Sequence, residues 1–117
     1  MSQDKTTISV SVAGQAVLDQ LTHDREFFKT ELAAFLATAA LAVALELPTD
    51  TELGPMGQTK WNKGSGDVGE WARLVEWYLP TEEPVRALEA YAEAGLRHVG
   101  VQLSQGASMG DIYVVAP

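Results

Sequence analysis

The stretch whose reading decides the fold is Phe27–Leu47, FFKTELAAFLATAALAVALEL. Thr30 is placed to cap a helix, Glu31 falls in the first turn where the dipole favours an acid, and Pro48 cannot continue the element. Between Leu32 and Leu45 the only polar side chain is Thr38. The pattern predicts one strongly helical, almost wholly apolar segment. Such a helix must be covered on nearly every face, by the rest of the fold or by a second copy, and a homodimer is expected. The run is shorter than the roughly 18 residues that suggest a membrane span, and Thr38 interrupts it. No membrane partner is expected. Its alanines let neighbouring helices approach closely, and it carries no evident chemistry.

Upstream, residues 6–12, TTISVSV, alternate polar and apolar. That predicts a half-buried strand with Ile8, Val10 and Val12 on one face and Thr7, Ser9 and Ser11 on the other. A short helix is expected over about 13–21, with Ala13, Val17, Leu18 and Leu21 at helical spacing, followed by a charged link, His23–Glu26. Downstream, residues 48–66 read as a long loop broken by Gly54, Pro55, Gly57, Gly64 and Gly66. Loops of that length in a small domain tend to be functional or mobile.

The second half is helical again. Asp67 can cap DVGEWARLVEWYL, in which Val68, Trp71, Leu74, Val75 and Tyr78 trace one face. Pro84 suits the start of the next helix, whose apolar face runs Val85, Leu88, Tyr91, Ala92, Leu96 and Val99. Gly95 inside it costs about 1 kcal/mol relative to alanine and implies close packing or an early break. Ile112–Val115 reads as a terminal strand. The parts make a single α+β domain over 1–117, mainly helical, with a small sheet formed from the N- and C-terminal strands. Its divisions are strand-helix-helix over 6–47, the Gly/Pro-rich loop over 48–66, and two helices and a strand over 67–117. Leu32, Phe35, Leu36, Ala39 and Val43 are expected to form the core with Trp71, Leu88 and Tyr91.

A chain of 117 residues that is 46% hydrophobic can build one real core. It has no cysteine, which excludes disulfides, thiolate catalysis and Cys-type zinc sites. The opening MSQDKTT lacks the basic and apolar regions of a signal peptide, so a cytoplasmic location is expected. Sixteen acidic against eight basic residues give a net charge of −8, which repels nucleic acid on average. The first 63 residues carry five basic and eight acidic groups and the remainder three and eight, so any DNA contact would fall to the first half.

No catalytic constellation emerges. His23 and His98 are the only histidines, and neither belongs to a set with metal-ligand spacing. His23 beside Asp24 reads as a solvated residue of a charged link, and His98 suits the C-terminal end of a helix dipole. Residues 63–67, KGSGD, lack the Lys-Ser/Thr ending of a phosphate loop and follow no strand; they read as a turn. Asp24, Glu26 and Lys29 have the residue types of a metal-dependent nuclease but not the strand spacing. No serine lies in a nucleophile elbow. The chain reads as a non-enzyme without a cofactor or metal.

The tryptophans carry more information. Trp61 stands between Lys60 and Lys63 in the expected loop, and an aromatic flanked by lysines can anchor a partner protein or stack on a base. The commoner arrangement folds Trp61 back over the core as a lid. Trp77 lies six residues after Trp71 on one predicted helix, so it points elsewhere and is the less buried of the two. Trp61, Trp77, Lys60 and Lys63 are thus the candidate partner-binding residues.

Three segments together resemble a known family: Phe28-Lys29-Thr30 opening an apolar helix that contains Phe35, Trp61 followed shortly by Gly66-Asp67, and Tyr91-Ala92-Glu93-Ala94-Gly95-Leu96. They resemble the small proteins associated with bacterial DNA phosphorothioation clusters, Dnd system-associated protein 4. The resemblance covers about residues 17–103. It implies a non-enzymatic accessory part, through protein–protein contacts, in a defence system linked to DNA modification. It carries over no catalytic residue. The alanine-rich central helix and the terminal strand depart from the family pattern.

The order of elements supports a second reading. A strand, a short helix and a longer helix match the ribbon-helix-helix plan, in which two chains pair their strands and the ribbon enters the major groove. As a dimeric DNA-binding regulator the chain would use Lys5, Thr7, Ser9, Arg25, Lys29 and Thr30, with the helix start at Lys29-Thr30 on a phosphate. Against it stand the acidic total and the lack of Arg, Asn or Gln outward on the ribbon. The competing fold pairs Thr6–Val12 with Ile112–Val115 inside one chain and leaves no ribbon.

Overall fold

Alternation makes Thr7–Ser11 a strand, β1, in the computed structural model, which describes residues 7–24, 27–49, 56–62, 71, 73 and 83–113. Ile8 and Val10 are buried as the alternation predicts. The strand stops before Val12 because Ser11 turns the chain. Its Oγ accepts the Gly14 amide at 2.9 Å and so caps α1, Val12–Asp19. Val12, expected on the buried face of the strand, is instead the first helical residue and is 57% exposed, while Ser11, expected on the other face, is buried.

Beyond α1 the chain makes one π-helical turn, Gln20–Asp24, so the start of the expected charged link is helical. The Thr22 hydroxyl donates back to the Leu18 carbonyl at 2.8 Å. The Leu21 carbonyl then accepts the amides of both Phe27 and Phe28 at 3.1 Å. The apolar stretch forms α2, Glu31–Ala44, capped by Thr30, whose Oγ1 accepts the Ala33 amide at 3.1 Å. At its end Glu46 takes a φ of 55°, its amide donating to Val43 and that of Leu47 to Ala42. That double-bonded terminus is usually built on glycine, and a side chain there costs about 1 kcal/mol. Pro48 follows and bars further helix. α2 buries Phe35, Leu36, Ala39 and Leu41 among others, and its less buried side is mostly alanine: Ala33, Ala37, Ala40 and Ala44.

Pro84 opens α3, Pro84–Ser104, which buries Val85, Leu88, Ala92, Leu96 and Val99 as its spacing predicts. α3 packs chiefly on α2. Gly95 lies at their closest approach, where an added Cβ would sit 2.4 Å from the Thr38 carbonyl oxygen. Close packing, and not an early break, is therefore the reason for Gly95. α3 ends at Ser104, and Gly106 beyond its cap takes a φ of 85°.

The sheet is small, two-stranded and antiparallel, as expected, but its second strand is a different one. Inside the expected 48–66 loop, Met56–Asn62 forms β2 and pairs with β1, with Ile8 opposite Trp61, Ser9 opposite Thr59 and irregular register between. Gly57 permits this, because a Cβ there would meet the Val10 carbonyl oxygen at 2.8 Å. The C-terminal partner is not a strand where it is described: Met109–Tyr113 is a short helix, α4, with the Ile112 amide donating to Ser108. Val114 and Val115 lie outside the described residues. Ile112 is buried in the core, which favours a helix that turns it inward over a strand whose place beside β1 is already taken.

The core contains Phe35, Leu36, Ala39 and Leu88 as expected, together with Ile8, Val10, Leu18 and Leu21 from the first elements. Leu32, Trp71 and Tyr91, expected inside, are partly buried and pack against it, and Val43 is half-buried. The remainder of the helix predicted from Asp67 lies outside the described residues, apart from Arg73, which is helical and exposed. No helix among the described residues is long and apolar enough to cross a membrane.

Candidate functional site

β1, α1 and α3 meet at a polar corner. The Ser11 amide donates to Glu93 Oε1 at 2.6 Å and its hydroxyl to Glu93 Oε2 at 2.7 Å, while the same hydroxyl oxygen accepts the Gly14 amide. Two residues earlier, the Ser9 amide donates to Glu89 Oε2 at 2.9 Å. Glu89 and Glu93 are 7% and 4% exposed, burial a carboxylate tolerates only when donors replace its water. Both act as structural acceptors.

Beside this corner α1 and α3 line a groove of about 280 Å³. Its apolar wall is Ala13, Val17, Leu96, Gly100 and Val101, and Arg97 is its charged neighbour to Glu93. Gly100 keeps the wall low, since a Cβ there would press on Val17 Cγ2 at 3.0 Å. Val101, on α3, is 49% exposed. The groove has the size and chemistry to take an apolar side chain from a partner.

A second network fixes β2 to the start of α2. Lys60 Nζ pairs with Glu31 Oε2 at 3.1 Å, and Gln15 Nε2 bridges Glu31 Oε1 at 2.5 Å and Asp19 Oδ1 at 2.9 Å. The Gln15 hydrogen bond, and after it the Lys60 ammonium, hold the Glu31 carboxyl below its ordinary 4.5 against the opposing effect of partial burial. The neighbouring Trp61 lays its ring on Phe35, centroids 4.9 Å apart, and is half-buried. Of the expected partner site, Lys60 is thus ion-paired to Glu31 and Trp61 is half-buried against Phe35.

A third cluster joins α2 to α4. Thr38 Oγ1 and the Tyr113 hydroxyl lie 2.7 Å apart, and the Tyr113 ring contacts Phe27 and Phe28 at centroid distances of 5.8 and 5.4 Å. Burial pushes the Tyr113 phenol above its ordinary 10.0, partly opposed by the bond to Thr38.

Of the residues expected to meet DNA, the described ones are Thr7, Ser9, Lys29 and Thr30. Thr7 and Ser9 are half-buried, and the Ser9 hydroxyl lies 3.3 Å from that of Thr59 across the sheet. Lys29 and Thr30 are exposed, with Thr30 engaged as the α2 cap. Lys5, Arg25, Lys63 and Trp77 lie outside the described residues, as does the KGSGD segment expected to turn. An intermolecular ribbon would require β1 to give up either its pairing with β2 or its bonds to the two glutamates. His23 is exposed and His98 is half-buried beside Leu47 and Pro48. No group of three or more His, Asp or Glu among the described residues could hold a metal ion.

Sequence reasoning missed Ser11, Glu89 and Glu93. The signal was present: Glu89 and Glu93 fall on the stripe that runs Val85, Leu88, Ala92 and Leu96, where a carboxylate needs a buried donor. Compared with protein-family models, curated proteins and solved structures, the chain matches none.

Proposed function

We propose that this chain is a non-enzymatic accessory protein of the cytoplasm that acts through protein–protein contacts, and that the α1–α3 groove is its contact surface. The observation that carries the reading is Val101, half exposed at an apolar groove already shaped by Gly100 and Val17. An exposed apolar side chain costs nothing when single, but at a concave wall it is the feature a partner's side chain would cover. The buried carboxylates support a contact role over a catalytic one, since both oxygens of Glu93 are occupied by Ser11. The resemblance to Dnd system-associated protein 4 supplies the setting: a defence system linked to DNA phosphorothioation, with its other protein components as partners.

The test compares the tagged wild type with Val101→Glu in pull-downs from the native host, with quantification of the recovered proteins. Val101 is surface-exposed, so the variant should keep its stability within about 0.5 kcal/mol. Loss of components of a DNA-modification system from the variant supports the proposal. Equal recovery by both chains refutes the groove. Tight sequence-specific DNA binding with no protein partner refutes the accessory role and restores the regulator.

A further inference from the structure

A two-stranded sheet ordinarily leaves two edges, and an unpaired edge invites pairing with a second chain. β1 does not leave its own open. The amides of Ser9 and Ser11, two residues apart and so directed the same way, donate to Glu89 Oε2 and Glu93 Oε1 at 2.9 and 2.6 Å. Glu89 and Glu93 are four residues apart on α3, about 6 Å along a helix axis, against roughly 6.7 Å between alternate residues of a strand. At nearly strand spacing, the helix supplies acceptors that a neighbouring strand would otherwise provide.

We propose that Glu89 and Glu93 are an edge guard: they hold β1 in its pairing with β2 and bar it from pairing with the β1 of a second copy. A copy's strand could bond there only by displacing two buried carboxylates, each of which would need new donors. A symmetric β1–β1 contact would also bring both carboxylates of each chain to one seam, where like charges repel. Opening the edge would further unseat Ser11, which caps α1 with the same hydroxyl that it donates to Glu93. A homodimer of this chain therefore uses another face.

The experiment has two arms on the full chain. In the wild type, hydrogen exchange of the Ser9 and Ser11 amide protons is followed by NMR. Both are expected to exchange slowly, since each donates to a buried carboxylate. In the second arm, Glu89→Met/Glu93→Met, which keeps the volume and removes the carboxylates, is measured by sedimentation over a concentration series. It is expected to show one association step that the wild type lacks. Should the double variant fail to fold, Glu89→Met alone, which leaves the Ser11–Glu93 corner intact, is measured with the same expectation. Ser9 and Ser11 amides that exchange as fast as solvent-exposed ones overturn the proposal. So does a folded variant that sediments like the wild type up to about 1 mM, the weak end of specific association.

Discussion

Replacing Gly95 by alanine tests the packing of the two main helices against each other. On helix propensity alone, Gly95→Ala should stabilise α3 by about 1 kcal/mol. The structure reverses the sign. The new Cβ would lie 2.4 Å from the Thr38 carbonyl oxygen, 2.7 Å from Thr38 Cγ2 and 3.1 Å from the Thr38 carbonyl carbon. Two of those atoms are backbone and cannot rotate away, so α2 and α3 must separate by about 1 Å to restore ordinary contact distances. Overpacking of this kind costs typically 1–3 kcal/mol, and separation also loosens neighbouring contacts along the seam, so the gross cost should be near 3. The expected net loss is about 2 kcal/mol, or roughly 8 °C in midpoint for a chain of this size. Urea unfolding of wild type and variant measures it. Gly110→Ala is the internal control, because a Cβ there meets nothing within 4 Å and the position lies in α4. The control should be neutral or stabilising by about 0.5 kcal/mol. A Gly95→Ala chain as stable as the wild type, or more so, would refute the close approach.

Phe35 is fully buried and carries Trp61, so Phe35→Ala should cost about 3–5 kcal/mol in urea unfolding and leave Trp61 more exposed to a fluorescence quencher. An unchanged midpoint would remove Phe35 from the core. Ser11→Ala deletes the cap of α1 and one donor to Glu93, with an expected cost of about 2 kcal/mol, and Ser11→Thr should recover part of it. Tyr113 has a folded pKa raised above its unfolded 10.0, so its contribution is intact below that pH and is lost as pH rises through the folded value. Stability followed from pH 9 upward should therefore fall more steeply for the wild type than for Tyr113→Phe, and parallel curves would show that the phenol is not buried.

What was legible in the sequence was what local chemistry specifies. α2 announces itself by a cap at Thr30 and an acid at Glu31, and both fall where predicted; its end, expected at Pro48, comes earlier, at left-handed Glu46. β1 and α3 were legible from periods of two and of 3.6 residues. β2 was not, because GQTKW has no apolar alternation; it is a strand because β1 offers partners and Phe35 offers Trp61 a surface. The Ile112-Tyr113 pair, the described part of the expected terminal strand, misled in the opposite direction. Its residues favour strands, but the tertiary environment buries Ile112 from a helix and sets Tyr113 beside Thr38. The site was least legible of all. Ser9 and Ser11 find their acceptors 80 and 82 residues away, and no local pattern announces such a bond.

Those distant bonds answer a problem that the alanine-rich helix creates. Alanines allow close approach but interlock poorly, so many relative positions of α2 and its neighbours would bury similar apolar area. Each polar tie removes that freedom in one direction. Glu31 binds the start of α2 to α1 through Gln15 and to β2 through Lys60. Thr38 fixes its middle twice, by its hydroxyl to Tyr113 and by its backbone against Gly95. Ser11 and Glu93 lock the β1–α1 corner to α3, the helix on which α2 chiefly rests. A hydrogen bond contributes only about 1 kcal/mol when made but costs more when a buried partner is stranded, so a shift of either helix is penalised at several points at once. We read the buried glutamates and threonine in this way: apolar area supplies the stability of the fold, and a few long-range polar contacts select its register.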